Sequence, residues 1–212
     1  WTGVMTRSWG LASTFREEHP HHGRVRGGGN LRGKPALELA EYVKSDNLLE
    51  ASIGMATINS LIDIDETKCT YENAFDILAQ KGRGKNIAVV GHFPWTPMLK
   101  DIAQKLWVID QNPRGEDLPA EAAEYILPQA DVVGLTGSSL INHTFQQLMD
   151  LSQGSFIVMV GPSSPLSPVL FDYGVDVISG IKVVEPQKML HCITEGAIFK
   201  QIKGVKLLSM KK

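Results

Sequence analysis

The stretch Ile87-Ala88-Val89-Val90-Gly91-His92-Phe93-Pro94 decides the fold, because four apolar residues in unbroken succession run straight into a glycine and a polar turn. Continuous rather than alternating hydrophobicity marks a strand covered on both faces. Four more runs repeat the pattern at Leu106–Ile109, Val132–Leu135, Phe156–Val160 and Val175–Ile178, about 20–25 residues apart. That spacing leaves room for a crossover helix each time, which is the signature of a parallel, doubly wound α/β sheet. Helices are expected near 96–105, 119–127, 139–152, 165–172 and 187–199, several announced by prolines at their starts: Pro97, Pro119, Pro165 and Pro186. Antiparallel order among the five strands, or a helix over 106–109, would contradict this reading.

Working back toward the amino terminus, Lys81-Gly82-Arg83-Gly84-Lys85 reads as a linker that separates a sheet domain over 86–212 from a small α+β domain over 1–81. The smaller unit opens with short strands around Thr2–Thr6 and Leu11–Phe15. A polar, glycine-rich stretch from Arg16 to Gly33 follows and reads as an exposed loop. Pro35 opens a short helix through Val43, and Asn47 with Glu50 suggests the capping box of a second helix over 47–62. Apolar residues lie all round that helix, so it should be buried on most sides, packed on the sheet domain or across a cleft. A third helix is expected near Tyr71–Gln80.

Composition narrows the partners. Apolar residues make up 43% and charged residues 21%, close to globular averages. With 21 basic against 23 acidic residues the net charge is −2, which offers no footprint for nucleic acid. No apolar run approaches the roughly 18–20 residues of a membrane span. Cys69 and Cys192 stand far apart and form no CxxC, so a reducing, cytoplasmic setting is the simpler expectation. No GxSxG, HExxH or P-loop motif occurs, which removes the commonest hydrolase, protease and NTPase readings.

Ligands of an open parallel sheet bind outside the carboxyl ends of its strands. Those ends carry Gly91-His92-Phe93, Asp110, Thr136-Gly137-Ser138, Gly161-Pro162-Ser163-Ser164 and Ser179-Gly180. The third and fourth sets place hydroxyls and a glycine at expected helix starts, where free N–H groups favour an anion; the plainer alternative is that they only cap helices and make turns. Asp110 stands where a ribose-binding carboxylate would, 19 positions after Gly91. The GxGxxG fingerprint fails there, since Phe93 and Thr96 occupy its second and third glycine positions, so NAD is disfavoured and an adenosyl ligand such as S-adenosylmethionine remains. His92 faces the expected crevice as a ligand or an acid/base. His19, His21 and His22 cluster in the glycine-rich loop as a weaker metal candidate. Asn59, an amide inside an apolar helix, needs partners from backbone or ligand, and Asn142 and Thr144 pose the same question.

Gly161-Pro162-Ser163-Ser164-Pro165-Leu166-Ser167-Pro168, followed by Phe171, Gly174-Val175-Asp176, Gly180 and Val183, resembles the signature of the putative heavy-metal chelation family. Asp131-Val132-Val133 to Thr136-Gly137-Ser138, with Asn142 and Thr144, is similar to that family's third strand and loop. Ile53-Gly54-Met55-Ala56 to Ile58-Asn59-Ser60-Leu61 is similar to its amino-terminal helix. The resemblance implies an amino-terminal domain like that of enolase, a Rossmann-like carboxy-terminal domain and a site between them. The expected ligand set is Asn59, Gly91, His92, Phe93, Asp110, Thr136, Gly137, Ser138, Asn142, Thr144, Gly161, Pro162, Ser163 and Ser164. His92 and Asp110 are the expected ligands of a divalent transition metal, and the expected partner is a metal ion or small molecule. The alternative is an enzyme that acts on a small organic substrate with an adenosine-containing cofactor.

Overall fold

The computed structural model describes residues 1–15 and 24–212. The expectation for His19, His21 and His22 lies outside the described residues. The chain opens with β1 (Thr2–Met5) and β2 (Trp9–Ala12), an antiparallel hairpin. Next come α1 (Ala36–Ala40), a 3₁₀ turn over Glu41–Lys44, and α2 (Leu48–Leu61). The Asn47 side chain accepts from the N–H groups of Leu49 and Glu50, which starts α2 there. The expected capping box is only half formed. The Glu50 carboxylate is buried and accepts from the backbone and side-chain nitrogens of Arg26 and from the Ser45 hydroxyl.

The remaining elements are β3 (Cys69–Thr70), α3 (Ala74–Lys81), β4 (Asn86–Val90), β5 (Lys105–Asp110), β6 (Leu118–Pro119), α4 (Ala123–Ile126), β7 (Val132–Thr136), α5 (Phe145–Leu151), β8 (Phe156–Val160), α6 (Val169–Asp172), β9 (Val177–Val183), α7 (Pro186–Thr194) and β10 (Val205–Lys211). They build an α/β architecture around a mixed, mostly parallel eight-stranded sheet in the order β3-β10-β9-β8-β7-β4-β5-β6. All neighbours from β9 to β6 are parallel, while β10 runs antiparallel to both β9 and β3. The first unit expected from the sequence reached to residue 81, yet β3 pairs with β10 and α3 packs on β7 and β8, so residues 69–81 sit on the large sheet.

Strand periodicity explains the unbroken apolar runs. Ala88, Val133, Leu135, Ile157, Met159 and Ile178 point to one face and pack with side chains of α4, α5 and α6. Their alternates Ile87, Val89, Val132, Val158, Val160 and Val177 point to the other and pack with Ile77 and Leu78 of α3. With both faces covered, both alternations must be apolar.

Several boundaries differ from expectation for identifiable reasons. In place of a helix over 96–105 there is a single 3₁₀ turn at Thr96–Leu99. The Leu99 carbonyl takes the N–H of both Ile102 and Ala103, and Gln104 N already bonds Lys85 O. The helix expected over 139–152 is split: a 3₁₀ turn spans Gly137–Leu140, His143 has a left-handed φ of 61°, and α5 starts only at Phe145. The helix expected over 165–172 shrinks to α6, because Pro168 lacks the N–H that a helix begun at Pro165 would use to bond the Ser164 carbonyl, and its ring crowds that carbonyl. The fifth strand starts at Val177, and Ser179-Gly180 lies inside β9 instead of in a loop.

Candidate functional site

After β4 the chain moves to β5 and β6 on one side, then returns to lay β7 on the other, so the β4 and β7 loops leave in opposite directions. Such a reversal opens a crevice at the carboxyl edge. A cleft of about 1330 Å³ lies along this edge. Gly91, with φ 104°, turns the chain out of β4 where an added Cβ would stand 3.0 Å from Cβ of Thr136. Thr136 starts the next loop by accepting from Ser138 N.

One wall is aromatic. Phe93 and Trp95 stack with centroids 4.9 Å apart and planes 13° apart, and Phe75 of α3 tilts against Trp95 at 6.1 Å. His92 lies beside that wall, its Nδ1 2.8 Å from Oδ2 of Asp117. Asp117 is 8% exposed and also accepts from Arg114 N, whereas the imidazole is 40% exposed. A carboxylate only accepts, so Nδ1–H is the donor and Nε2 is the ring nitrogen left for another partner. On the rim, an Asp110 oxygen accepts from Asn112 N, and Asn142 Oδ1 accepts from the Thr144 hydroxyl.

At the centre three hydroxyls meet. Ser13, just past β2, donates its N–H to Ser163 Oγ at 2.9 Å, and its own Oγ lies 3.2 Å from Ser138 Oγ and 3.3 Å from Ser163 Oγ. The hairpin thus closes the cleft against the loops after β7 and β8.

Of the residues expected from the sequence, Gly91, His92, Phe93, Asp110, Thr136, Ser138, Asn142, Thr144, Gly161, Pro162 and Ser163 line this cleft together. Asn59, Gly137 and Ser164 stand behind it. Asn59 Nδ2 donates to the carbonyls of Leu11 and Pro162, and its Oδ1 is buried without a partner among the described residues. Gly137 packs on the Ser164 backbone, and the Ser164 hydroxyl is buried without a partner among the described residues. The expected anion-binding helix start over Gly161–Ser164 is corrected, since α6 begins five residues later. Gly161 N bonds Ser179 O, Ser164 N bonds Gly161 O, and the prolines have no donor. Lys200 is the one lysine or arginine among the described lining residues.

The described residues do not build a site for a bare metal ion. Protein-built sites for transition ions use three or four side-chain donors. No group of three His, Cys, Asp or Glu able to hold an ion occurs among the described residues, so His92 and Asp110 do not make up a metal cage. Burial and the nearby Asp65 and Glu66 push the Cys69 thiol above its ordinary range, which disfavours the thiolate a metal needs. No helix among the described residues is long and apolar enough to cross a membrane.

Ser13, Phe75, Trp95 and Asp117 belong to the site but escape sequence reasoning. Only the Phe93-x-Trp95 spacing gave a signal, two aromatics in one strand-end loop.

Comparison with known proteins agrees with this architecture. An uncharacterized protein of Methanocaldococcus jannaschii is 27% identical over 192 residues, 87% of this chain and 73% of that one. The crystal structure of a DUF364-family protein of unknown function from Desulfitobacterium hafniense matches with a TM-score of 0.82 at 28% identity, covering 99% of this chain and 87% of that one. A second DUF364-family structure of unknown function, from Pyrococcus horikoshii, matches at 0.81 with 23% identity, covering 97% and 84%. Two family models described as "Putative heavy-metal chelation" match residues 1–62 (DUF4213) and 73–210 (DUF364). The chain therefore belongs to the putative heavy-metal chelation family, with the DUF4213 and DUF364 segments in succession.

Proposed function

We propose that the protein binds a small organic molecule, alone or carrying a heavy-metal ion, in the cleft between its hairpin-and-helix unit and the large sheet. One observation carries the reading: the loops after β4, β5, β7 and β8, together with Ser13 of the hairpin, converge on a single cleft with hydroxyls at its centre and apolar walls. Ligand sites combine an apolar lining with a few placed polar groups in this way. The strand order supports a Rossmann-like description of the sheet, because β6-β5-β4-β7-β8-β9 corresponds to 3-2-1-4-5-6 of dinucleotide-binding folds. We take the hairpin and α2 as the enolase-like amino-terminal part.

The second reading is an enzyme with an adenosyl cofactor. Asp110, which lines the cleft at the end of β5, favours it as a ribose partner, with His92 as proton acceptor.

A thermal-shift screen decides between them, using nickel, cobalt, zinc and iron ions, the same ions in organic complexes, S-adenosylmethionine, NAD and NADP. A ligand at a hundred times its dissociation constant adds roughly 2.7 kcal/mol, or roughly 5–10 °C for a chain of this size. The expected result is a shift with an organic compound or complex and none with bare ions. A shift with S-adenosylmethionine alone favours the enzyme, and binding by bare ions as tight as by their complexes overturns the reading.

A further inference from the structure

The family's description and the described side chains disagree: chelation is ascribed to the family, yet the described residues gather no set of three donors. Resting on the cleft reading above, we propose that the metal enters inside a flat organic chelator and that the protein adds one donor, His92 Nε2, perpendicular to the chelate plane.

Four observations meet here. First, the His92 ring is prepared as a single ligand. Asp117, its side chain 8% exposed, accepts from Nδ1 at 2.8 Å and is itself held by Arg114 N, so the ring is oriented and Nε2 is the nitrogen left to face a ligand. Metal-binding histidines usually have such a partner on the other nitrogen. Second, Phe93 and Trp95, stacked within 13° of parallel, line the same cleft as His92. Stacked aromatic faces suit a planar conjugated partner. Third, about 1330 Å³ exceeds the roughly 300–1,000 Å³ of ordinary small-molecule clefts and admits a chelate with its substituents. Fourth, Glu72 is paired with Lys211, so the described lining sets Asp110 against Lys200 and offers no cationic cluster for a polyanion. An ion whose equatorial donors come from an organic ligand needs no protein cage, and the disagreement disappears.

The test uses a planar cobalt(II) complex of a tetradentate Schiff base, and the metal-free Schiff base, under anaerobic conditions. Low-spin cobalt(II) with one axial nitrogen gives a three-line nitrogen splitting in its electron paramagnetic resonance spectrum. The wild-type protein is expected to bind the complex one to one and to give that triplet. His92→Ala, and His92→Gln, which can still donate to Asp117, are expected to lose the triplet and at least tenfold in affinity. Asp117→Asn is expected to keep the triplet and weaken binding of the complex by about tenfold, with metal-free ligand unaffected. An unchanged triplet in both His92 variants overturns the axial ligand. So does equal binding of metal-free ligand without any nitrogen splitting, which leaves the cleft reading intact. Bare cobalt(II) showing several nitrogen couplings also overturns it. Failure of the complex while other organic compounds shift the melting temperature sinks this proposal alone; failure of every compound sinks the cleft reading as well.

Discussion

Gly137→Ala probes the contact that fixes the two central rim loops. No left-handed φ is recorded at Gly137, so alanine fits the backbone and the effect is steric. A Cβ there would stand 2.4 Å from Ser164 Oγ, 2.5 Å from Ser164 N and 2.8 Å from the Ser163 carbonyl carbon. Two of those atoms are backbone, so the loops must part. Overpacking of this kind costs about 1–3 kcal/mol. Parting the loops also strains the Ser13 N–Ser163 Oγ and Asn59 Nδ2–Pro162 O bonds, at roughly 0.5–1.5 kcal/mol each. Against this, alanine restricts the unfolded chain and returns roughly 0.4–1 kcal/mol. The net expectation is a loss of about 1–6 kcal/mol, read by urea denaturation, with a melting temperature lower by roughly 2–20 °C. Adding Ser164→Ala removes only the Oγ contact, so recovery should be partial. A Gly137→Ala protein as stable as wild type, or complete rescue by Ser164→Ala, would refute the packing argument.

Ser163→Ala leaves Ser13 N without its acceptor and should cost about 1–3 kcal/mol in urea titrations; an unchanged midpoint would show that the hairpin is not tied there. Asn59→Asp exchanges the amide that donates to Leu11 O and Pro162 O for a carboxylate facing two carbonyls. It should destabilise by about 2 kcal/mol or more at pH 7 and less at pH 4, where the acid can donate; equal effects at both would contradict this. At Glu50, burial raises the carboxyl's pKa, but the Arg26 N–H, the Ser45 hydroxyl and the Arg26 guanidinium outweigh it and hold the group below its ordinary range. Its stabilisation is therefore complete above the ordinary carboxylate pKa and fades as pH falls through the depressed value. Glu50→Gln should flatten that acid limb and cost about 1–3 kcal/mol at neutral pH, and an acid limb as steep as wild type would exclude this role.

What the sequence revealed followed from burial. β4, β7 and β8 were legible because both their faces are inside, so Ile87–Val90, Val132–Leu135 and Phe156–Val160 are apolar without a break. β10 was not, because Lys206, Ser209 and Lys211 interrupt it where only the two-residue β3 lies beyond. The helices after β4 and β8 were overestimated because prolines that suit a helix start were counted without asking which N–H groups the following turn needed. In the site, the strand-end rule located the loops but not their partners. Ser13 meets Ser163 across 150 positions, and Asp117 meets His92 across 25 through a loop whose residues, Arg114-Gly115-Glu116-Asp117, carry no distinguishing pattern.

The two sides of the cleft are held by different means. On the β7 and β8 side, Asn59 of α2 and Ser13 of the hairpin reach across from the amino-terminal unit, with partly buried bonds to Pro162 O, Ser163 Oγ and Ser138 Oγ. Gly137 seats against the Ser164 backbone behind them. The β4 and β5 side depends on exposed contacts: His92 with Asp117, Lys100 with Glu116, and Asp110 with Asn112. Exposed bonds exchange readily with water, whereas bonds among packed groups open only with the surrounding structure. The β7 and β8 side is therefore the one tied most directly to the amino-terminal unit. The amide in α2 braces this side through its two Nδ2 bonds to the backbone of the elements it joins, while its Oδ1 is buried without a partner among the described residues.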